Sequence, residues 1–415
     1  MTSALHRMVA HACENNALYR GKMDERGVSV HEITTISDLA RLPFTTREEL
    51  SSDPWVLLCV PRSSLVLTHM STGTTGKRPV YISYDWEDLY TRGLMPLTNA
   101  ARTTKLLKIE PGEIVFNALP YEISVTGLAI HRSVQDGIGA CVVPVGKGGF
   151  YSEPGKTLKL MREIQGDHLF TAPSYAVHLA ELAGTDNRNL RDIYGLRSIW
   201  LIGELCSDAL RRRIERMWGC PAFMYYGSME SGPIGVECSE QDGFHVATNF
   251  SAVEIIDLDE PIKTLDGTPL GEVVVTTLWR YASPVIRYRT GDLAFWDTRP
   301  CKCGLPGPRL RLHGRKEDVL RLKSTCLHTI DIEQGLLSMP DISSWFQFKQ
   351  YAGKLIVMLP ETQGVPFERA GVTAALWIND RLGVSCAVEP VPAVSYSGGK
   401  FIRAVVPTKE TRDDS

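Results

Sequence analysis

The sharpest chemical signal in the sequence is a short run of hydroxyl-bearing residues and glycines that ends in a lysine. The run reads Met70-Ser-Thr-Gly-Thr-Thr-Gly-Lys77 and follows the apolar stretch Ser64 to Thr68. Glycines let backbone N–H groups approach an anion closely, and hydroxyls with a cation complete a pocket for a polyphosphate. A Walker loop has wider glycine spacing and a lysine before Ser or Thr, so P-loop NTPases are disfavoured. We predict a phosphate-binding loop, with a flexible polar loop as the alternative, formed by Ser71, Thr72, Gly73, Thr74, Thr75, Gly76 and Lys77.

A second group of residues has the composition of a metal site. Cys238 and His245 flank a polar stretch, and Cys301 and Cys303 lie in a loop rich in proline and glycine. Three thiolates and one imidazole can form a closed tetrahedral zinc site. We predict structural zinc, because four protein ligands leave no open position for catalysis. The alternative is two unrelated loops of reduced thiols.

Four further motifs follow the glycine-rich run in order, and the five together carry a family resemblance. The four are Tyr226-Gly-Ser-Met-Glu230, Tyr288-Arg-Thr-Gly-Asp292, Gly314-Arg-Lys-Glu-Asp318 and Ser397-Gly-Gly-Lys-Phe-Ile-Arg403. The set resembles the adenylate-forming superfamily of acyl-CoA synthetases, peptide-synthetase adenylation domains and luciferases. The stretches that are similar to its phenylacetate-CoA ligase branch are Asp38 to Thr46, Asn117 to Tyr121, Ile202 to Glu204 and Pro300 to Gly304. The resemblance extends from about Leu5 to Pro407.

The resemblance implies attack of a carboxylate on the α-phosphate of ATP, which gives acyl-AMP and pyrophosphate. Lys400 would bridge the two reacting groups, and Glu230 would hold Mg²⁺ between the phosphates. Asp292 would accept the ribose hydroxyls, with Arg315 as a donor beside it. Without the other motifs, Asp292 would be interpreted as a turn residue and Arg315 as part of a surface ion pair. The other ATP-binding residues that the resemblance implies are Gly203, Glu204, Tyr225, Tyr226, Gly227 and Ser228, with Tyr226 stacked on adenine.

The acid and the acceptor of the acyl group are less sharply defined. Positions that resemble the acyl pocket of the family are mostly apolar, which suits a flat aromatic ring. They are Tyr121, Ile123, Val125, Thr126 and Ile202. The acceptor that the family implies is CoA, giving an aryl-CoA thioester. The alternatives are an amine or carrier-protein thiol, and a regulatory nucleotide-binding protein without turnover, which the presence of both Lys400 and Glu230 argues against.

The chain departs from the family pattern at three positions. Met229 stands where a Thr or Ser hydroxyl is usual, and Glu317 replaces an Asp at the hinge. Ser324 replaces the glycine that would line the passage for the pantetheine thiol. Its side chain and restricted backbone would obstruct CoA modestly, which keeps the amine acceptor open.

The elements that must position these residues follow from the apolar pattern. Short apolar runs alternate with helical patterns from Ser64 onward, which predicts an α/β domain with a largely parallel sheet. Closely spaced strands from Ala252 to Val275 predict a small antiparallel or barrel-like part. After Gly314-Arg315 the pattern becomes that of a compact α+β unit. We therefore expect a large N-terminal adenylation domain (residues 1–315) and a small mobile C-terminal lid domain (residues 316–415).

The composition excludes several function classes. With 45 Lys and Arg against 48 Asp and Glu, the net charge of −3 gives no general attraction for nucleic acid or anionic lipid. No window of about 18 uncharged apolar residues could span a membrane. The sequence starts without the apolar core of a secretory signal, so we expect a cytoplasmic protein without disulfides. The expected partners are small molecules; a homodimer stays open.

Overall fold

A computed structural model describes most of the 415-residue chain. The described residues are 2–71, 78–92, 106–149, 151–184, 189–322, 326–351, 354–361, 365–392, 401 and 403–405. The α-helices in these ranges are α1 (Thr2–Asn15), α2 (Ala17–Arg26), α3 (Arg47–Leu50), α4 (Thr126–Arg132), α5 (Pro154–Ile164), α6 (Pro173–Ala183), α7 (Leu190–Tyr194), α8 (Asp208–Trp218), α9 (Thr329–Leu337) and α10 (Phe367–Leu382).

The strands divide into one large sheet and three smaller groups. They are β1 (Leu65–Met70), β2 (Tyr81–Asp85), β3 (Ile114–Ala118), β4 (Cys141–Pro144), β5 (His168–Thr171), β6 (Ser198–Ile202), β7 (Ala222–Ser228), β8 (Gly232–Glu237), β9 (Phe244–Val246), β10 (Ser251–Ile256), β11 (Ile262–Lys263), β12 (Pro269–Thr277), β13 (Tyr288–Asp297), β14 (Arg309–Arg315), β15 (Val319–Arg321), β16 (Cys326–His328), β17 (Gln347–Tyr351), β18 (Lys354–Pro360), β19 (Cys386–Val391) and β20 (Ala404–Val405).

The large sheet begins with the parallel part that the sequence predicts. Its first five strands pair in the order β4-β3-β5-β6-β7, all parallel, with helices in the connections. Every residue of β6 is buried. Ile199 and Leu201 pack on one face of the sheet and Trp200 on the other, because successive side chains of a strand point to opposite faces. This explains why the strand has a continuous apolar run rather than an alternating one.

The antiparallel strands are confirmed, and they extend the same sheet. From β7 the order continues β8-β9-β14-β13-β12-β10, with antiparallel pairing throughout, and β11 pairs with β12. The first predicted strand differs from expectation, because β1 pairs only with β2 in a separate antiparallel hairpin. It therefore lies outside the parallel sheet.

Two helices at the start of the chain share an apolar cluster with residues of the large sheet. The helices α1 and α2 are separated at Asn16, whose side-chain oxygen accepts hydrogen bonds from the backbone N–H groups of Leu18 and Tyr19. This is an N-cap, which satisfies donors that the first turn of a helix leaves open. A short 3₁₀ helix, Ser37–Arg41, follows further along the chain.

The strands after Asp318 form sheets of their own within the described ranges. The pair β15-β16 is one, and the sheet β19-β18-β17-β20 with α9 and α10 is the other. Contacts with α8 hold this α+β unit to the large sheet. The Arg213 guanidinium donates to the carbonyls of Leu337, Met339 and Ile342.

The carboxylate of Glu333 also accepts from the Ser207 backbone N–H at the start of α8.

None of the helices in the described part of the chain combines the length and apolar character that a membrane span requires.

Candidate active site

The predicted phosphate loop is the connection of the β1-β2 hairpin. The strands pair up to Met70 and Tyr81, and the Ser71 backbone N–H then donates to the Val80 carbonyl at 2.9 Å. The Ser71 hydroxyl oxygen accepts from the Val80 N–H, also at 2.9 Å. These bonds close the base of the loop. Ser71 lines a cavity between the large sheet and the C-terminal α+β unit. The part of the loop that lies outside the described residues consists of Thr72, Gly73, Thr74, Thr75, Gly76 and Lys77.

Asp292 lies at the centre of a polar group that we name the Asp292 cluster, formed by Tyr226, Asp292 and Arg315. The Tyr226 hydroxyl donates to Asp292 Oδ2 at 2.6 Å, and Arg315 Nε lies 3.2 Å from Asp292 Oδ1. The strands position all three, because β13 and β14 are neighbours in the sheet with Asp292 opposite Arg315. The resemblance predicted these residues at one nucleotide site, and the fold brings them together.

The charges of the Asp292 cluster stabilise one another. Burial raises the pKa of Tyr226 well above its usual value, and the charge on Asp292 raises it further, so the phenol remains a donor. The carboxylate of Asp292 raises the pKa of Arg315. Burial also raises the pKa of nearby Asp318. Asp292 is thus a fixed acceptor beside a cation, and its remaining lone pairs can take hydroxyl groups.

Glu230 is a buried carboxylate on the same cavity, 6% exposed. Its Oε1 lies 2.8 Å from Arg47 Nη1, and its own carbonyl accepts from Arg280 Nη2. Carboxylate oxygens are hard ligands of the kind that Mg²⁺ takes together with phosphate oxygens. Glu230 therefore fits the predicted magnesium role.

The cavity has a volume of about 1540 Å³ and lies between the large sheet and the C-terminal α+β unit. Val125, Thr126 and Ile202, which the resemblance assigns to the acyl pocket, line it. Tyr121 and Ile123 are not on its wall. The Tyr121 hydroxyl is turned to Asn117 and His131, at 2.7 and 3.0 Å, and Ile123 is 51% exposed to solvent. Asn117 on β3 and His131 on α4 hold this aromatic ring away from the space that the sequence assigned to it.

The predicted ATP-binding residues Gly203, Glu204 and Gly227 have different structural roles. Gly203 has a φ of +88°, which a residue with a side chain rarely adopts, and it lines the cavity. Glu204 also lines it, but its carboxylate binds the start of α6 through the Ser174 N–H at 3.0 Å, and it pairs with Lys147. A Cβ on Gly227 would approach the Gly232 carbonyl oxygen to 2.7 Å, so only glycine fits there.

The remaining residues of the tyrosine motif are supported by the sheet. Tyr225 is buried on β7 and contributes to the cavity wall. The Ser228 hydroxyl lies 2.7 Å from that of Ser231, which ties the end of β7 to the turn that carries Glu230. Met229 accepts a hydrogen bond from the Ser124 hydroxyl at 3.4 Å, so a hydroxyl group is still present beside the unusual methionine.

Lys400 lies outside the described residues, but the end of its motif is fixed. Arg403 pairs with Glu333 and donates to the carbonyls of Ser344 and Phe346, at 3.0 and 3.1 Å. Both Phe401 and Arg403 line the cavity. The described end of this motif therefore reaches the same cavity as the Asp292 cluster.

The four predicted zinc ligands come together although they lie on three segments. Cys238 follows β8, His245 is on β9, and Cys301 and Cys303 lie in the loop between β13 and β14. The Sγ atoms of Cys238 and Cys301 are 3.6 Å apart, Cys303 Sγ is 3.3 Å from His245 Nε2, and all four ligand atoms lie within 4.8 Å of one another. Tetrahedral zinc with Zn–S bonds of about 2.3 Å separates sulfur atoms by roughly 3.8 Å, so the group fits the metal.

Three basic residues of the cavity wall, Arg47, Lys147 and Arg403, were not predicted from the sequence. Arg403 is the last residue of the motif Ser397 to Arg403, and Arg47 directly follows the stretch Asp38 to Thr46. The basic residue after Pro43-Phe-Thr-Thr46 was the available signal for Arg47. Lys147 has no local signal, because its role depends on Glu204, 57 positions away.

Comparisons with solved structures reveal the fold. A 2-hydroxyisobutyryl-CoA ligase with 2-HIB-AMP in the postadenylation state superposes with a TM-score of 0.87 at 21% identity, over 99% of this chain and 90% of that one. The same ligase with CoA in the thioesterification state gives 0.68 at 23% identity, with the same coverage. An anthranilate CoA ligase with anthranoyl-AMP gives 0.59 at 16% identity, over 82% and 66% of the two chains.

Sequence comparisons reveal the family, although no family model matches the chain. The phenylacetate-coenzyme A ligase of Thermus thermophilus is 31% identical over 351 residues, which are 83% of this chain and 76% of the relative. The enzyme of that name from Pseudomonas putida is 32% identical over 356 residues, 82% and 75% of the two chains. Identity at this level over so much of the length shows that the chain belongs to the phenylacetate-coenzyme A ligase family, the AMP-forming acid–thiol ligases.

Proposed function

We propose that this enzyme activates an aromatic carboxylic acid with ATP, forms the acyl-AMP with release of pyrophosphate, and transfers the acyl group to CoA. The observation that carries the proposal is the shared cavity. The Asp292 cluster, the buried Glu230 and the closed base of the phosphate loop all line it. Such a reaction depends on positioning and charge stabilisation more than on covalent chemistry by the protein.

We assign the roles from the contacts of the described residues and, for Lys400 and the loop up to Lys77, from the resemblance to the family. Asp292 accepts the ribose hydroxyls, because Tyr226 and Arg315 fix its carboxylate as an acceptor. The flat face of Tyr226 supports the adenine, and the loop from Ser71 to Lys77 binds the β- and γ-phosphates. Lys400 bridges the acid and the α-phosphate. Mg²⁺ held by Glu230 would offset the negative charge of the phosphates when bound.

The acid-binding wall consists of Val125, Thr126 and Ile202. Beside it, the Ser124 hydroxyl lies 2.9 Å from that of Thr126. A mainly apolar wall with few polar groups favours an aryl or arylacetic acid. The relatives named phenylacetate-coenzyme A ligase support this substrate class.

We further propose two domains, residues 1–315 and a mobile lid of residues 316–415. The separate pairing of the strands after Asp318 supports the boundary. The higher TM-score with the postadenylation state of the 2-hydroxyisobutyryl-CoA ligase supports an arrangement suited to adenylation. Turning of the lid would then admit the acceptor.

A structural zinc ion held by Cys238, His245, Cys301 and Cys303 is also part of the proposal. The distances among the four ligand atoms support it. Such an ion would fix the turn after β8 to the loop after β13, next to the strands that carry Asp292 and Arg315.

The acceptor has a second candidate, an amine or a carrier-protein thiol, because Ser324 stands where the family has glycine. The test is pyrophosphate release with a panel of aryl acids, followed by product mass with CoA or amines, for wild type and Ser324→Gly. We expect acyl-CoA from the wild type. An amide product with no acyl-CoA, or thioester formation that appears only with Ser324→Gly, would favour the second acceptor.

A further inference from the structure

Arg47 is the one basic residue in the described part of the cavity that contacts both Glu230 and Ser71. Its Nη1 lies 2.8 Å from Glu230 Oε1, and its Nη2 donates to the Ser71 hydroxyl oxygen at 3.1 Å. One guanidinium therefore joins the predicted magnesium ligand to the first residue of the predicted phosphate loop.

The backbone around Arg47 is held in place by the large sheet. The Thr45 N–H donates to the Arg287 carbonyl and the Arg289 N–H donates to the Thr45 carbonyl, both at 2.9 Å, so Thr45 pairs beside Tyr288 at the start of β13. Thr46 and Glu49 then form a capping box at the start of α3. The site of Arg47 is thus fixed relative to the strand that carries Asp292.

The two side chains of the Arg47–Glu230 ion pair differ in how much of their surface is exposed. The Glu230 side chain is 8% exposed and the Arg47 side chain is 26% exposed. A buried carboxylate needs a compensating charge, and Arg47 supplies it here. The guanidinium also reaches the cavity, where its planar set of donors suits phosphate oxygens.

We propose that Arg47 binds the β- and γ-phosphates of ATP, and that its ion pair with Glu230 compensates this carboxylate before the nucleotide arrives. The inference rests on the proposed adenylation function. When magnesium and ATP bind together, Glu230 gains the cation and Arg47 gains the phosphates. Each charge thereby exchanges one partner for another, and neither is left buried alone.

The contact with Ser71 indicates which phosphates are bound. Ser71 begins the loop assigned to the leaving phosphates, whereas the Asp292 cluster is assigned to the ribose. Arg47 thus lies toward the end of ATP that AMP lacks. Comparing ATP with AMP consequently separates a phosphate contact from general damage to the site.

The test measures the Kd of magnesium-ATP and of AMP by calorimetry without any carboxylic acid, so that no turnover occurs. The variants are Arg47→Gln, Arg47→Lys and, as matched control, Arg41→Gln. Arg41 is an exposed arginine at the end of the 3₁₀ helix Ser37–Arg41, and its side chain pairs with Glu32. Since charge-assisted hydrogen bonds are the strong ones, we expect Arg47→Gln to weaken magnesium-ATP binding about tenfold or more and AMP binding less than about twofold.

Arg47→Lys should lose part of the ATP affinity, because it keeps the charge without the paired donors. It keeps the test decisive if Arg47→Gln does not fold. Arg41→Gln should change neither Kd. Equal weakening of ATP and AMP, or no change in either, would overturn the inference while leaving the proposed function intact. A wild-type protein that binds no magnesium-ATP would instead overturn the proposed function and this inference with it.

Discussion

Two carboxylates of the cavity, Asp292 and Glu237, differ in their partners and in their burial. Asp292 accepts a hydrogen bond from the Tyr226 hydroxyl and pairs with Arg315. Glu237 accepts from the Met224 backbone N–H at 2.8 Å, but burial raises its pKa from 4.5 to about 7. The charge of Arg211 offsets only part of this effect. Glu237 is therefore a place where pH acts on stability.

The sign of this effect follows from proton binding. Between pH 4.5 and 7 the unfolded chain has released the Glu237 proton and the folded chain retains it, so folding stability decreases as pH rises through this range. We predict that Glu237→Gln removes this loss, since an amide oxygen can still accept from Met224. Because one pKa unit corresponds to about 1.4 kcal/mol, the stability gain over wild type should grow by roughly 2 kcal/mol from pH 5 to pH 8.

Urea unfolding of the ligand-free protein at both pH values measures this gain. Glu240→Gln, at an exposed carboxyl three positions away, is the control. A difference between wild type and Glu237→Gln that stays the same at both pH values would show that the carboxyl is ionised alike in the folded and unfolded chain.

The sequence could predict single residues only where a motif contains them. Glu230, Asp292, Arg315 and Tyr226 were assigned in this way, and the fold brings Tyr226, Asp292 and Arg315 into contact. The ion pair between Arg47 and Glu230 joins residues 183 positions apart, and no local pattern encodes such a contact.

Helix α9 packs on helix α10 through a small residue opposite a large one. A Cβ at Gly335 would lie 1.9 Å from ring atoms of Trp377, which no real contact tolerates. We predict that Gly335→Ala destabilises the protein by about 1–3 kcal/mol, because the indole must move out of its packed position.

Gly371→Ala on α10 is the matched control for this helix contact. The new Cβ would lie 3.5 Å from Val388 Cγ1, an ordinary contact, and alanine favours helix over glycine. Denaturant unfolding should therefore show a loss for the first variant and none for the second. Equal stability of the two variants would contradict the packing described between α9 and α10.

The proposed zinc ligands come from β9 and from the connections that follow β8 and β13. We predict about one equivalent of zinc in purified protein, and loss of most of it in Cys303→Ser, since a tetrahedral site needs all four ligands. Metal analysis after supplementation measures both. Less than about half an equivalent in the wild type would leave two loops of reduced thiols.

Periodicity and composition were sufficient to predict most elements. The strands β3 to β6 were predicted from short apolar runs, and the antiparallel strands from their close spacing between Ala252 and Val275. Their order was not predictable, because pairing such as β14 with β9 is decided by contacts distant in sequence. The apolar run of β1 likewise gave no sign that the strand pairs in a separate hairpin.

At the scale of the whole molecule, the cavity depends on how the C-terminal α+β unit is attached to the large sheet. Arg213 and Glu333 make this attachment, and neither belongs to a motif that predicts it. The resemblance could predict two parts and the reaction, but not the side chains that hold the parts together. Those contacts bring Arg403 and Phe401 to the cavity that contains Asp292.

If the cavity binds ATP and an acid as proposed, the enzyme must form an acyl-adenylate. The most direct measurement is mass spectrometry of the small molecules released from enzyme incubated with ATP, magnesium and an aryl acid, with CoA omitted. We expect an acyl-AMP with pyrophosphate in equal amount, and neither product when the acid is omitted. Formation of ADP with an acyl phosphate, or pyrophosphate release that does not depend on the acid, would contradict it.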